Sequence, residues 1–287
     1  MQIASLALWL RAQRSYKEMA LKIRQRPTIN DIHIVCAEPM PGEYDLLGTF
    51  AAQLEPRALG AMLFDLWKEM KLAGEVGSLL KVELAIKVTI AKTRKALEAI
   101  PEAHQLRLFG PELPVQMPLA LQRRDLEDST FWANAEARVV EALRAFGESA
   151  RDDSGVLRRL FADDAIQGMA FIDVLQEPFD VVLMNPPFGA ASLPSKDYIA
   201  RNYPRTKNNL YAAFVERGLE LLRPTGYLGA ITSRTGFFVS SFQQWREGIL
   251  LKEANFITMA DLGHGVLDTA MVETAAYVMQ RKDESSE

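Results

Sequence analysis

The pattern of hydrophobic and polar positions predicts a helical first half and a second half with several short strands. Apolar residues recur at helical spacing in residues 2–23, 45–54, 56–73, 76–99, 128–149 and 154–167. Short apolar runs bounded by turn residues predict strands at Ile32–Ala37, Val181–Met184, Tyr227–Thr232, Phe256–Ala260 and Thr274–Met279. Further helices are predicted within 190–207 and over 209–222 and 239–252.

Residues 43–168 differ from the sequence on either side because helical periodicity dominates them. Connections between strands of an α/β sheet are usually short, so we interpret 43–168 as an inserted helical module. Within it, residues 101–120 contain four prolines and predict an extended linker. Two interpretations of the module remain open: an arm that faces DNA or a partner, and a helical hairpin that packs on the core.

The apolar run Val181–Met184 ends at Asn185, which two prolines and Phe188 follow. An unbroken apolar run of this length is typical of a strand buried on both faces of a parallel sheet. Proline has a fixed φ and no N–H, so Pro186 and Pro187 end the strand in a stiff, extended turn. Open α/β sheets bind ligands at the carboxyl ends of their strands, which makes this turn a candidate site.

The side chains at this turn suit a planar ring that carries an exocyclic amine. The Asn185 side-chain oxygen and the Pro186 carbonyl can both accept a hydrogen bond from an NH2 group. Phe188 offers a flat face for stacking, which is worth about 1–3 kcal/mol for a base on an aromatic ring. An ordinary Pro-Pro turn with a capping asparagine is the alternative. The coincidence of strand, asparagine, prolines and aromatic residue favours binding.

Composition excludes several classes of protein. The net charge of −4 argues against a generally cationic nucleic-acid binder, although a local basic cleft remains compatible with it. The single cysteine, Cys36, permits no intrachain disulfide and indicates a reducing, cytoplasmic location. No apolar run approaches the roughly 20 residues of a membrane span, and no signal peptide is recognisable. The scattered histidines and cysteine give no metal-ligand spacing, so we predict no metal site.

Basic side chains are concentrated directly after the Asn185 turn. Within residues 190–207, four basic side chains are accompanied by one acid, Asp197. We predict phosphate contacts there, and also at Arg234 beyond it; a solvated loop is the alternative. The candidate DNA-binding residues are Lys196, Arg201, Arg205, Lys207 and Arg234.

The segment Asn185-Pro186-Pro187-Phe188 resembles motif IV of S-adenosylmethionine-dependent amino-methyltransferases, in particular gamma-type N6-adenine DNA methyltransferases. Other segments resemble motifs of this family in the same order. These are residues 209–214 for the motif V helix, 222–232 for the motif VI turn and strand, and 272–279 for the motif VIII strand. Residues 2–10 resemble the helix after motif II in large bacterial adenine methylases of restriction-modification and BREX-type phage-defence systems.

The resemblance implies an α/β fold, a partial Rossmann-like S-adenosylmethionine-dependent methyltransferase with a helical insertion. Residues 1–42 and 169–287 would form the core, and residues 43–168 the insertion. The implied reaction transfers a methyl group from S-adenosylmethionine to N6 of a flipped adenine in double-stranded DNA. The implied catalytic residues are Asn185, Pro186, Pro187 and Phe188.

The cofactor contacts implied by the resemblance are Asp173, Val174, Asn185, Tyr211 and Glu38. Asp173 would end a strand where the family has motif III, an acidic residue near the cofactor adenine. Glu38, which follows the predicted strand Ile32–Ala37, is a competing candidate. Asp173 is favoured because its short spacing to Asn185 is closer to the family pattern.

The sequence departs from the family in its cofactor-binding motifs. No glycine-rich motif I is present: Gly74–Gly77 lies between helices, and too few residues follow Gly265 for a circularly permuted motif at Ala260–Gly265. Leu267 stands where members often place an aromatic residue against the target base. We therefore expect a truncated or split enzyme, with a second polypeptide supplying motif I and target recognition. The strand before Asn185 would have an open edge unless Ile32–Ala37 or another chain covers it.

Two other functions remain open from sequence. A methyltransferase with the same motif IV could act on an RNA base, on cytosine or on a protein glutamine amide. The departures from the family are also compatible with a non-catalytic remnant that binds DNA or a partner.

Overall fold

The computed structural model describes residues 2–29, 32–40, 44–54, 57–98, 128–148, 153–266 and 272–283. The helices are α1 Gln2–Glu18, α2 Tyr44–Gln53, α3 Arg57–Met70, α4 Ala73–Val76, α5 Val82–Glu98, α6 Asp128–Glu148, α7 Asp153–Val174, α8 Lys196–Asn202, α9 Leu210–Glu220 and the short α10 Gln243–Trp245, which continues as a π turn over Arg246–Leu250. The strands are β1 Phe179–Met184, β2 Leu222–Ser233, β3 Ala254–Gly263 and β4 Thr274–Arg281.

The amino-terminal half packs as a helical layer around one apolar core. In α3, Leu59, Met62, Leu63, Leu66 and Met70 are all buried, which is the spacing of three and four that a one-sided helix requires. The rings of Phe50, Phe146 and Phe161 meet in this core with centroid distances of 5.3–6.3 Å. The same core includes Ile199, Tyr203 and Ala213, so the helical module shares its interior with α8 and α9.

The carboxyl-terminal half is built on a four-stranded sheet in the order β1-β2-β4-β3. β1 and β2 are parallel, whereas β4 runs antiparallel to both β2 and β3. Helices α9 and α10 cover one face, where Leu228, Ala230, Tyr277 and Met279 are buried. The predicted α/β class is confirmed, and the two strands predicted last in the chain form an antiparallel pair.

Several predicted helices are confirmed with adjusted ends. The helix expected over 2–23 ends at Glu18, and the one expected over 154–167 extends to Val174. The turn predicted at Pro224–Gly226 forms a bulge inside β2, in which Thr225 has φ +65°. The proline-rich linker predicted over 101–120 lies outside the described residues.

Two predicted strands are wrong. Residues 32–40 have no strand partner: the segment packs Ala37 and Met40 against the helical core. Residues 169–174, where a strand was expected to carry Asp173, are the last turns of α7. A short apolar run has the same composition in a buried helix as in a strand, and here packing on α6 selects the helix.

The expectation that β1 is buried on both faces is also wrong. Val182 and Met184 pack against the core under α9, but Val181 is 54% exposed and Leu183 is 80% exposed. In the described part of the chain, β1 pairs with β2 alone. The strand that leads to Asn185 therefore has an open edge and an uncovered face. The open edge was predicted from the departures from the family, and the uncovered face was not.

The amphipathic pattern of α1 correctly predicted a helix but not a buried one. Ile3, Leu6 and Leu10 are 86%, 57% and 53% exposed. No helix in the described ranges combines the length and apolarity needed to cross a membrane. The same ranges contain no group of three or more His, Cys, Asp or Glu side chains suited to a metal ion.

Candidate functional site at the carboxyl end of β1

The Asn185 turn leaves the sheet at the carboxyl end of β1. Met184 is the last residue in register with β2, opposite Ala230, while β2 continues for three residues to Ser233. The longer strands β2, β3 and β4 therefore form a wall beside the turn. Asn185 and Pro187 are exposed, Pro186 is buried and Phe188 is half-buried. The predicted catalytic residues thus form one accessible group at the end of the sheet.

The far end of the turn is tied to the start of α9. Gly189 has φ +110°, a conformation that glycine adopts readily and other residues adopt at a cost. Its N–H donates to the Asn209 Oδ1 at 3.1 Å, and its carbonyl accepts from the Leu210 N–H at 2.8 Å. Asn209 Oδ1 also accepts from the Tyr211 N–H at 3.3 Å, as an N-cap residue does.

Two cavities meet at Asn185. One, of about 230 Å³, lies between the open edge of β1 and α9 and is lined by Ser78, Pro186, Pro187, Phe214 and Arg217 among others. The other, of about 540 Å³, lies over the uncovered sheet face and is lined by apolar residues including Leu183, Ile231 and Val278. Asn185 is therefore accessible from both sides of the sheet.

A third cavity continues along the same open edge toward the amino end of β1. It has a volume of about 310 Å³ and is bordered by Lys81, Glu83, Glu177 and Pro178. Arg217 and Leu221 line both this cavity and the one beside Asn185. The two cavities form a trough that extends from the residues before β1 to the Asn185 turn, with residues 78–84 on its opposite wall.

Tyr211, a predicted cofactor contact, is buried beside the turn. Its side chain is 1% exposed and its ring stacks on Phe242 at 5.4 Å, with edge contacts to Phe188 and Trp245. Burial raises the pKa of its hydroxyl to about 12. Tyr211 therefore packs against Phe188 inside the protein.

Asp173 and Val174 lie at the wrong end of β1 for the predicted cofactor contact. They end α7, which precedes the amino end of β1, whereas Asn185 follows its carboxyl end. Six residues of strand separate the two ends by about 20 Å. Asp173 instead faces Glu136 of α6, where burial and then the Asp173 charge raise the pKa of Glu136 to about 7.

Glu38, the competing candidate, lies nearer to the trough. Its neighbours Ala37 and Pro39 approach Gly77 and Gly74, in the segment that leads to Ser78 on the trough wall. Its side chain is exposed and accepts a hydrogen bond from the Cys36 Sγ at 3.3 Å. Of the predicted cofactor residues, Asn185 and Glu38 are thus the two placed near this end of the sheet.

Three of the predicted DNA contacts are exposed basic side chains beside the turn: Lys196, Arg201 and Lys207. Arg205 is different, because it donates to Glu216 at 2.8 Å and 3.1 Å, to Glu253 and to the Gly248 carbonyl. This network joins the loop after the turn to α9 and to residues 248 and 253, which precede β3. Arg205 therefore has a structural role, whereas a phosphate contact was predicted for it.

Arg234 is also neutralised by carboxylates rather than free for phosphate. Its guanidinium donates to Glu273 and Asp261, both at 2.6 Å, and holds the pKa of Asp261 below its ordinary value. These contacts tie together the ends of β2, β3 and β4. The cluster carries a negative charge in total, so Arg234 has carboxylate partners where a phosphate contact was predicted.

Sequence reasoning missed the polar residues that fix the trough wall. Arg217 is 2% exposed and donates to both carboxylate oxygens of Glu83 and to the Ser78 and Leu80 carbonyls. Tyr203 donates to the Leu79 carbonyl at 2.6 Å. An arginine inside the otherwise apolar face of α9 was the available signal, since buried arginines are almost always paired.

Two relatives to which the chain is similar are both described as adenine-specific methyltransferases. The chain is 31% identical over 113 residues to the adenine-specific methyltransferase BrxX of Escherichia coli O9:H4 (strain HS), which covers 37% of this chain. It is 30% identical over 114 residues to the adenine-specific methyltransferase PglX of Lacticaseibacillus casei (strain Zhang), which covers 38% of this chain. In each case the match spans 9% of the relative.

Solved structures align over most of the chain but superpose loosely. A protein described as a class I S-adenosylmethionine-dependent methyltransferase from Listeria monocytogenes is 14% identical, with a TM-score of 0.33 over 85% of this chain and 88% of that one. A chain from a structure of the type I restriction-modification system is 16% identical, with a TM-score of 0.33 over 82% and 57%. Scores this low carry no inference.

The match to a family model is far more extensive. The model of the Eco57I restriction-modification methylase family matches residues 1–266 of the 287 in this chain, including β1, the Asn185 turn and α9. The protein therefore belongs to the Eco57I restriction-modification methylase family.

Proposed function

We propose that this chain carries the target-base site of an N6-adenine DNA methyltransferase that acts in restriction-modification or phage defence. The observation that carries the proposal is the accessible Asn185 turn at the carboxyl end of β1, in a chain of a methylase family. The curated relatives are named adenine-specific methyltransferases, and that name supplies the base.

In the proposed mechanism the target adenine leaves the duplex, at a cost of a few kcal/mol. The Asn185 Oδ1 and the Pro186 carbonyl accept hydrogen bonds from the adenine amine and hold its lone pair out of conjugation with the ring. Phe188 stacks on the base and is itself supported by Tyr211. When bound, S-adenosylmethionine supplies the activated methyl group. Catalysis then depends mainly on the position of the amine.

The residues of the described chain form only part of a cofactor site. Asn185 and Glu38 lie near the end of the trough at which β1 stops, whereas Asp173 lies at the other end of β1 and Tyr211 is buried. We propose that Glu38 takes the acidic role near the cofactor adenine. The groups that hold the methionine and ribose parts of the cofactor would come from another polypeptide segment.

The open edge of β1 supports this division of the site. A parallel strand paired with β1 would fill the trough and bring its own carboxyl end beside Asn185. Helices that follow such a strand could cover the face where Leu183 is exposed. We propose that the segment bearing motif I occupies this place, and that target recognition also lies outside the described residues.

Duplex DNA would meet the site on the side of the loop after the turn. Lys196, Arg201 and Lys207 are exposed there, and no carboxylate of the described residues forms an ion pair with them. We propose that they contact phosphates next to the flipped base. Arg205 fixes this loop to α9 by donating to Glu216.

Methylated nucleosides from the source organism would test the function. DNA from a strain that carries the gene should contain N6-methyladenine at a fixed sequence, and a deletion strain should lack it. Mass spectrometry of digested DNA and RNA, together with the proteome, separates the alternatives. If the deletion strain lost methylcytosine, a methylated RNA base or methylglutamine instead, that group would replace adenine as the substrate. If the deletion changed neither N6-methyladenine nor these groups, the proposal would be refuted.

A further inference from the structure

The amide of Asn209 joins two segments that are separate in sequence. Its Oδ1 accepts from the Gly189 N–H at 3.1 Å and from the Tyr211 N–H at 3.3 Å. The Leu210 N–H in turn donates to the Gly189 carbonyl at 2.8 Å. Both backbone groups of Gly189 are therefore bonded to the first residues of α9.

This arrangement fixes the Asn185 turn at both ends. At one end Met184 is held in the ladder opposite Ala230. At the other end Gly189 is held by Asn209, and the two prolines between them have restricted backbone angles. The remaining freedom of Asn185 and Phe188 thus depends on whether Gly189 stays in place.

We propose that Asn209 is a positioning residue for methyl transfer, which acts through Gly189 on the placement of Asn185 and Phe188. The inference rests on the proposed function for its effect on catalysis. Asn209 does not touch the substrate in this account: its side chain is directed to backbone N–H groups. Loss of the amide would release Gly189 and leave the acceptor oxygen of Asn185 poorly aligned with the adenine amine.

Steady-state kinetics of the methylase isolated from its source organism test the catalytic part. Asn209→Ala should lower kcat on the order of 100-fold, the scale of a 1 Å misplacement. The KM for DNA should stay close to the wild-type value, because the phosphate contacts are unchanged. Asn209→Asp should keep most of the activity, since a carboxylate oxygen can accept the same two hydrogen bonds.

Asn208→Ala is the matched control, because the neighbouring asparagine donates to the Ser241 carbonyl at 3.2 Å and makes no contact with Gly189. It should keep the wild-type kcat. A wild-type kcat in Asn209→Ala, or an equal loss in Asn208→Ala, would overturn the positioning role.

Nuclear magnetic resonance of the chain tests the geometry independently of activity. In Asn209→Ala the Gly189 amide should lose its protection from hydrogen exchange, and the side-chain amide of Asn185 should become more mobile. Unchanged values for both would overturn the inference even if activity were lost. If the wild-type enzyme transferred no methyl group to DNA, the proposed function would fail, and the Asn185 mobility would still decide whether Asn209 positions the turn.

Discussion

At the scale of single residues, the neighbours of a side chain decide its role more than its type does. Lys196, Arg201, Arg205 and Lys207 lie within one short stretch, yet Arg205 alone is held by Glu216 and Glu253. Its partners are 11 and 48 residues away in sequence. The charge of the stretch was therefore predictable, but the basic residue that carboxylates hold was not.

Glu136 provides a test of packing between α6 and α7. Burial, with a smaller effect of Asp173, raises its pKa from 4.5 to about 7, so the folded state favours the protonated carboxyl. Between these two pH values the folded chain binds more protons than the unfolded chain, so stability should fall as the pH rises. Glu136→Gln should remove this dependence and raise Tm at pH 8. An identical Tm profile between pH 4.5 and 8 in both proteins would contradict the assignment.

At the scale of elements, periodicity predicted the long helices and the last three strands, because each has one apolar face of sufficient length. It failed for residues 32–37, a short apolar run that packs against helices. The strand that the resemblance implied before Asp173 is instead the end of α7, so Asp173 lies at the other end of β1 from Asn185. The site end of β1 was nevertheless predicted, since Pro186 and Pro187 end a strand in any context.

Helix α8 and the loop after it, which follow the Asn185 turn, are expected to set the salt dependence of DNA binding. Each phosphate contact made by Lys196, Arg201 or Lys207 should contribute about 0.9 to the slope of log K against log salt concentration. Arg201→Gln should reduce the slope by about that amount. Arg223→Gln is the control, because Arg223 is an exposed arginine at the opposite end of β1, paired with Asp180. Equal slopes for wild type and Arg201→Gln would remove this contact from the account.

Ion pairs join the helical module to the sheet half of the molecule. Arg217 of α9 is buried and pairs with Glu83 at 2.7 Å, while Lys81 pairs with Glu220 at 2.7 Å. Removal of one partner from a buried pair costs about 3–5 kcal/mol. The module therefore forms a fixed wall of the trough, which favours the packed hairpin of the two interpretations that the sequence left open.

At the scale of the whole molecule, β1 has an open edge in the described chain, and the uncovered apolar surfaces include the sheet face beside it and helix α1. An open parallel edge and an apolar face together are an association liability. Motif order alone predicted the open edge. The uncovered face required the structure, because it depends on which side of the sheet α9 and α10 occupy.

The sheet face should be needed for the proposed polypeptide partner. When the tagged protein is purified from its source organism, Leu183→Glu should lose a polypeptide that accompanies the wild type, because it places a charge on that face. Leu193→Glu, at a residue 90% exposed and outside the sheet, should retain it. Retention of the same polypeptide by both variants would show that it binds elsewhere.

The most direct test of the account is the amount of N6-methyladenine formed when Asn185 is changed. In the source organism, Asn185→Ala should abolish N6-methyladenine at the sites that the wild-type gene modifies, while the protein level stays the same. Asn255→Ala, an exposed asparagine on β3, should leave the modification intact. Full N6-methyladenine in the Asn185→Ala strain would contradict the assignment of the target-base site to the end of β1.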